Sequence, residues 1–238
     1  MLGLAALYPV VVSMSGEDLL SFERPLLAQG AVVVGLDEVG RGALAGPLTV
    51  GAVVVNSDAP APTELTDSKL LTPRKREGLV EPIKEWATDW SLGSVTAEEI
   101  DAWGLRLALA VAATRAIDGL EVRPTHALID GSFNLLQAPL NVGFGVDLPP
   151  ELRYRKLPAR TIIKGDRQSA TIAAAAVLAK VSRDALMTEL DVEFPLYGWS
   201  GNKGYGSSDH LAALREYGPT KYHRQSWSLP EFSPTNLN

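Results

Sequence analysis

The sequence contains no cysteine and only three histidines in 238 residues. Disulfides and thiolate metal centres are therefore excluded, and any metal must be held by oxygen ligands or by those histidines. No apolar run approaches the roughly 18 residues that a membrane-crossing helix needs. The opening stretch MLGLAALYPVVVSMSGEDLL is briefly apolar, yet it has no basic leader region and runs into acids instead of a cleavage site. No signal peptide and no membrane partner are expected, which leaves the cytoplasm as the default location. Basic charge is also in deficit: 22 Lys and Arg against 28 Asp and Glu give a net charge of −6, the wrong sign for a protein that neutralises phosphates over its whole surface.

With 46% hydrophobic residues the chain can fill one sizeable core, since single cores stop growing near roughly 250 residues. Its basic residues are gathered rather than spread. RYRKLPARTIIKGDR holds Arg153, Arg155, Lys156, Arg160, Lys164 and Arg167 against Asp166 alone, while Arg74-Lys75-Arg76 and Lys221, His223 and Arg224 form two further groups. Either these are solvated charges or they converge as phosphate contacts, and position along the chain does not decide between the two.

Residues 31–37 and 48–55 are β-branched runs bounded by glycines, with too little chain between them for a helical crossover, so they are expected as antiparallel strands. A polar, proline-bearing loop leads to a helix over 75–87 and a third strand in WSLGSVT. A long helix over 97–118 follows, with Thr96 and Glu99 at capping-box spacing. HALID (126–130) and 160–164 are short buried strands, and the alanine-rich run from Ser169 to about Leu190 is a strong helix former suited to close packing on a sheet. One short helix is expected at 208–216. The order describes an α/β protein, a mixed five-stranded sheet flanked by helices.

The acids fall at the ends of these strands. Asp37 ends the first, Asp130 ends the fourth and Asp166 follows the fifth, where adjacent strand ends can bring side chains together. Clustered carboxylates raise one another's pKa values, a cost that divalent cations remove. Oxygen-only ligands suit Mg²⁺ or Mn²⁺, and a pair of such ions can hold a phosphodiester, activate water on one side and stabilise the leaving oxygen on the other. A single Asp after a strand is equally an ordinary turn residue, and Glu38 could face solvent, because strand neighbours point to opposite faces. Gly40, Gly42 and Gly46 imitate a dinucleotide-binding loop, but such a loop must open a helix, and here Pro47 and a strand follow two acids that would repel a pyrophosphate.

GLDEVGRGALAGPL, LTDSKLLTPRKRE, ALIDG, IKGDRQSATIAAAAVLAKVSRD, YGWSGNKGYGSSDH and HRQSW together resemble the bacterial ribonuclease HII family along most of the chain. The resemblance implies a ribonuclease H-like fold in three parts: an N-terminal extension (1–30), a catalytic domain (31–195) and a helical C-terminal extension (196–238) that completes the substrate site. It implies endonucleolytic cleavage 5′ to ribonucleotides in DNA duplexes, and of the RNA strand of hybrids, by two metal ions on Asp37, Glu38, Asp130 and Asp166. By the same similarity, Gly40, Arg41 and Gly42 recognise the 2′-hydroxyl through main-chain groups and Tyr205 packs on the sugar of the following deoxynucleotide. Lys69 and Lys203 are the expected phosphate contacts. Lys180, Arg183 and Asp184 could act there or form an ordinary ion pair, and His223 and Arg224 could touch DNA or simply close the C-terminal segment.

The chain departs from the family in an apparent insertion, NVGFGVDLPPELRYRKLPAR, and in Trp227 where phenylalanine is commoner. Another two-metal nuclease of the same fold, such as a junction resolvase, would share the acids without needing a 2′-hydroxyl, and a purely binding protein would need no acids at all. QSWSLPEF (225–232) faintly suggests a sliding-clamp peptide. A monomer is expected.

Overall fold

The computed structural model describes residues 19–66, 68–136 and 157–233. The opening apolar stretch up to residue 18, Asp67, and the insertion as far as residue 156, with Arg153, Arg155 and Lys156, lie outside the described residues.

Strands β1 (Val33–Val39) and β2 (Leu48–Val55) carry apolar residues at nearly every position because both of their faces are covered; all eight residues of β2 are buried. They pair antiparallel, as expected from the short connection. With β3 (Asp89–Val95), β4 (His126–Asp130) and β5 (Ala159–Ile162) they form one sheet in the order β3-β2-β1-β4-β5. The β1–β4 and β4–β5 pairs are parallel, so the sheet is mixed.

Alternation along the strands divides the core in two. Val34, Leu36, Val50 and Ala52 pack against α4 (Leu105–Asp118) on one face, while Val53, Val33 and Val55 meet α5 (Ala170–Glu193) on the other. Close approach of α5 explains two glycines: a Cβ on Gly35 would lie 2.2 Å from the Thr171 carbonyl carbon, and one on Gly51 would lie 2.4 Å from the Ala175 carbonyl oxygen. The alanines of the helix answer the glycines of the sheet.

Ahead of the sheet, α1 (Arg24–Leu27) follows Glu23, a fully buried carboxylate. Glu23 Oε1 accepts from the Ser169 hydroxyl at 2.6 Å and from the Thr171 amide at 3.0 Å, capping α5 from outside the helix. Helix α2 (Pro73–Trp86) begins at the cap Thr72. The expected helix over 97–118 is two: α3 (Ala97–Trp103), with its Thr96–Glu99 capping box, and α4, separated by Gly104 at φ +73°. A residue in that conformation cannot continue a helix.

The C-terminal segment is helical, as expected. A 3₁₀ turn (Pro195–Tyr197), α6 (Trp199–Asn202) and α7 (Ser208–Tyr217) gather around the fully buried Trp199, against which Tyr197 stacks at 5.3 Å. The chain then returns to the loop after β1: Leu44 N–H donates to Gly204, Gly46 N–H to Tyr222 and Arg224 N–H to Leu44. No described helix is long and apolar enough to cross a membrane.

Candidate active site

Register brings the acids together. The parallel β1–β4 ladder ends at Leu36↔Ile129, so Asp37 and Asp130 leave it side by side. Asp37 does not end its strand, contrary to the sequence expectation, because the antiparallel ladder with β2 runs on to Val39↔Thr49. After β5, Lys164 at φ +55° turns the chain into a 3₁₀ turn, Gly165–Arg167, that delivers Asp166. Asp130 Oδ1 accepts from the Gly165 amide at 2.7 Å and fixes that turn against β4.

Asp37 and Asp166 are buried, at 7% and 4% exposure, and Glu38 is half-buried with Arg41 Nη1 3.4 Å from its Oε1. Burial, followed by the charges of Asp130, Glu38 and Asp166, holds the Asp37 carboxyl well above the usual carboxylate range. Burial also raises Glu38; Arg41 opposes the shift and Asp130 adds to it. Four acids thus share one electrostatic field. Among the described residues no three of them already stand in an arrangement that closes around an ion. The donor chemistry nevertheless fits hard divalent cations: carboxylate oxygens alone, held together at a cost that positive charge would relieve.

A cleft of about 300 Å³ is lined by Asp37, Glu38, Gly40, Arg41, Gly42, Ser68, Lys69, Lys180 and Tyr205. Lys69 Nζ lies 3.9 Å from Asp166 Oδ2, which ties the DSK loop to the acids. Lys203 does not enter this cleft. Its Nζ donates to Thr188 Oγ1 at 2.7 Å, and it lines a larger neighbouring groove of about 680 Å³ with Arg76, Glu77 and Asp184. The smaller cleft holds Asp37 and Glu38, and Lys69 on its rim reaches Asp166. Sequence reasoning overlooked Ser68, although it lies within the DSK motif, and left Lys180 undecided; Lys180 pairs with Asp184 at 2.7 Å while facing the cleft from α5.

The loop after β1 separates its glycines by role. Gly40 (φ +83°) has no room for a side chain, since a Cβ would lie 2.3 Å from Arg183 Nε and 2.6 Å from the Pro47 oxygen. Gly46 is equally blocked by Met187, at 2.3 Å. A Cβ on Gly42 would meet nothing within 4 Å, so what keeps the position small is not packing.

A family model described as ribonuclease HII matches residues 34–229. The chain belongs to the ribonuclease HII family. It is 45% identical over 214 residues to the ribonuclease HII of Streptomyces avermitilis, covering 89% of this chain and 84% of that protein. Its fold matches the ribonuclease H2 crystal structure from Pyrococcus horikoshii OT3, with a TM-score of 0.62, 25% identity and coverage of 83% of this chain and 94% of that one. It also matches the Archaeoglobus fulgidus RNase HII solved in complex with PCNA, with a TM-score of 0.61, 24% identity and coverage of 85% and 98%. Membership in this family makes the chain a nuclease with ribonuclease H activity on RNA paired with DNA.

In this ribonuclease HII chain two buried arginines support the cleft loop. Arg183 pairs with no described acid; it donates to the carbonyls of Pro47 (2.7 Å), Lys203 (2.8 Å) and Ala45 (3.0 Å) and lies over the Tyr205 ring at 5.6 Å. Arg224 donates to the carbonyls of Arg41, Gly40 and Gly46. Burial, helped by the Arg183 charge, pushes its guanidinium down to about 10. His223 is buried too, so this pair closes the C-terminal segment onto the loop.

Proposed function

We propose that the chain is a metal-dependent endonuclease that cuts the phosphodiester 5′ to a ribonucleotide in a DNA duplex, and the RNA strand of a hybrid, leaving 3′-hydroxyl and 5′-phosphate ends. Removal of ribonucleotides from DNA in the cytoplasm would be its task. The observation that carries the reading is the emergence of Asp37 and Asp130 from adjacent parallel strands beside a glycine loop that is open at Gly42.

Asp37, Glu38, Asp130 and Asp166 are the residues that would hold Mg²⁺ or Mn²⁺. Two such ions, when bound, supply Lewis acidity to the scissile phosphate and lower the pKa of the attacking water. Gly42 lets a nucleotide approach the backbone, and the main chain of Gly40, Arg41 and Gly42 meets its 2′-hydroxyl, the group that distinguishes RNA from DNA. Tyr205, 37% exposed at the cleft, offers its ring to the next sugar. Lys69, on the acid rim, takes a phosphate, whereas Lys203 would have to leave Thr188 to do so.

A clamp contact would be confined to the end of the tail. Gln225 and Ser226 are tied to Asp101, Trp227 lies on Arg224 and Leu229 packs in the C-terminal cluster, while Phe232 stays 51% exposed.

The test uses a labelled duplex with one ribonucleotide, the matching all-DNA duplex and an Asp37→Asn control, each with Mg²⁺. A single nick 5′ to the ribonucleotide, absent from both controls, is expected. Equal cutting of the all-DNA duplex would instead indicate a nuclease that does not read the 2′-hydroxyl.

A further inference from the structure

Arg224 is fully buried, and no described carboxylate forms an ion pair with it. Its charge is met by peptide oxygens. Nη1 donates to the Arg41 carbonyl at 2.8 Å, and Nη2 is shared between the carbonyls of Gly40 and Gly46, the latter at 3.3 Å. Trp227 covers the guanidinium, its ring centre 4.7 Å from Cζ. Burying a cation is costly, and a planar fork that binds successive carbonyls is one of few arrangements that offsets the cost.

Those bonds fix more than the oxygens. No cis peptide occurs among the described residues, and in a trans peptide the C=O of one residue and the N–H of the next point in opposite directions. Drawing the Gly40 and Arg41 carbonyls onto Arg224 therefore turns the N–H groups of Arg41 and Gly42 to the other side of the loop. Both residues line the acid cleft. Two successive N–H groups on one side form a concave donor pair suited to an electron-rich oxygen, and a Cβ on Gly42 would meet nothing within 4 Å among the described residues.

We propose that Arg224 is a positioning residue for substrate selectivity: by gripping the Gly40 and Arg41 carbonyls from inside, it aims the Arg41 and Gly42 N–H groups at the 2′-oxygen of the ribonucleotide. The inference rests on the reading of this loop as the 2′-hydroxyl sensor. It adds the side chain that holds the sensor in shape and touches no substrate itself.

The test is metal-free binding in EDTA, measured as the ratio of affinities for a duplex with one ribonucleotide and for the same duplex in DNA alone. Wild type, Arg224→Lys and Arg224→Gln are compared, with thermal melts of each. Lysine keeps the charge but lacks the fork. The expected result is a wild-type preference for the ribonucleotide that falls about tenfold, or to unity, in both variants, the scale of one lost hydrogen-bonding pair, while all-DNA binding changes by no more than about twofold. A preference kept intact in both variants would overturn the role of Arg224 alone. Absence of any preference in wild type would overturn the sensor reading as well. Loss of cooperative melting in both variants would also overturn the assignment, since the side chain would then be holding the fold rather than the loop.

Discussion

His210 and His223 face each other Nε2 to Nε2 at 3.0 Å in the C-terminal cluster. The surrounding donors assign their protons. Thr220 N–H donates to His223 Nδ1 and Trp199 Nε1–H donates to His210 Nε2, so His223 is protonated on Nε2, and His210 on Nδ1, from which it donates to the Tyr205 carbonyl. Every ring nitrogen is then satisfied in the neutral pair, and a third proton would break one of these bonds. Burial, together with the nearby His210, pushes His223 down to about 4.

Between an ordinary histidine pKa near 6.5 and about 4, the unfolded chain binds more protons at His223 than the folded one, so stability rises with pH across that window. It is fully present above about 6.5 and is lost on acidification, by at most about 3 kcal/mol. Thermal melts at about pH 7.5 and about pH 5 should show the drop, and His223→Gln should flatten it. An equally steep drop in the Gln variant would place the proton elsewhere.

Asp37 is held above the usual carboxylate range by burial and by three neighbouring acids, so its charge costs stability at neutral pH. Asp37→Asn should therefore raise the melting temperature in EDTA, by the equivalent of roughly 1 kcal/mol or more, while cutting turnover by a factor of about 100 or more. Added Mg²⁺ should stabilise the wild type and the variant little. A variant less stable than wild type without metal would show that Asp37 is carried by hydrogen bonds rather than strained by repulsion.

The acids were legible in sequence because three of them lie at or just beyond the ends of apolar, β-branched runs, and such runs bounded by glycine define strands with little ambiguity. Their register was not: that Asp37 and Asp130 leave the β1–β4 ladder together depends on pairing between distant segments. Gly104 escaped notice because a glycine inside a helical pattern is tolerated at about 1 kcal/mol, and only its φ of +73° ends the helix. The roles of Arg183 and Arg224 were left open in the sequence, since a buried arginine that binds carbonyls is written with the same letter as a solvated one. Lys203 stands apart from the acids for a local reason. It caps α6 at φ +54°, and its side chain reaches Thr188 of α5 rather than the acids.

The glycines of the loop make a paired prediction. Gly40→Ala adds a Cβ in a left-handed conformation against Arg183 and Pro47, and should cost about 2–4 kcal/mol of stability. Gly42→Ala enters open space and should leave stability within about 0.5 kcal/mol, yet cut cleavage tenfold or more by occupying what a nucleotide needs, on the order of a steric block at a reacting site. Melts and cleavage rates on the two variants would separate the roles. Full activity in a stable Gly42→Ala would mean that no ligand approaches there.

Lys69 reaches Asp166 at 3.9 Å but leaves 78% of its side chain in solvent, too exposed for this pair to matter to the fold. Its position on the rim of an acidic site in a chain of net charge −6 gives it a different use. Local positive charge must bring a phosphate past carboxylates that repel it, and Lys69 sits on their rim, 3.9 Å from Asp166. Lys69→Met should leave the melting temperature unchanged and weaken duplex binding about threefold to tenfold at low salt. The slope of log affinity against log salt should also fall by about one, as expected when a single phosphate contact is lost. Binding and melts measured across a salt series would decide it: an unchanged slope would show that Lys69 takes no phosphate and leave that contact to Lys180, which also lines the cleft.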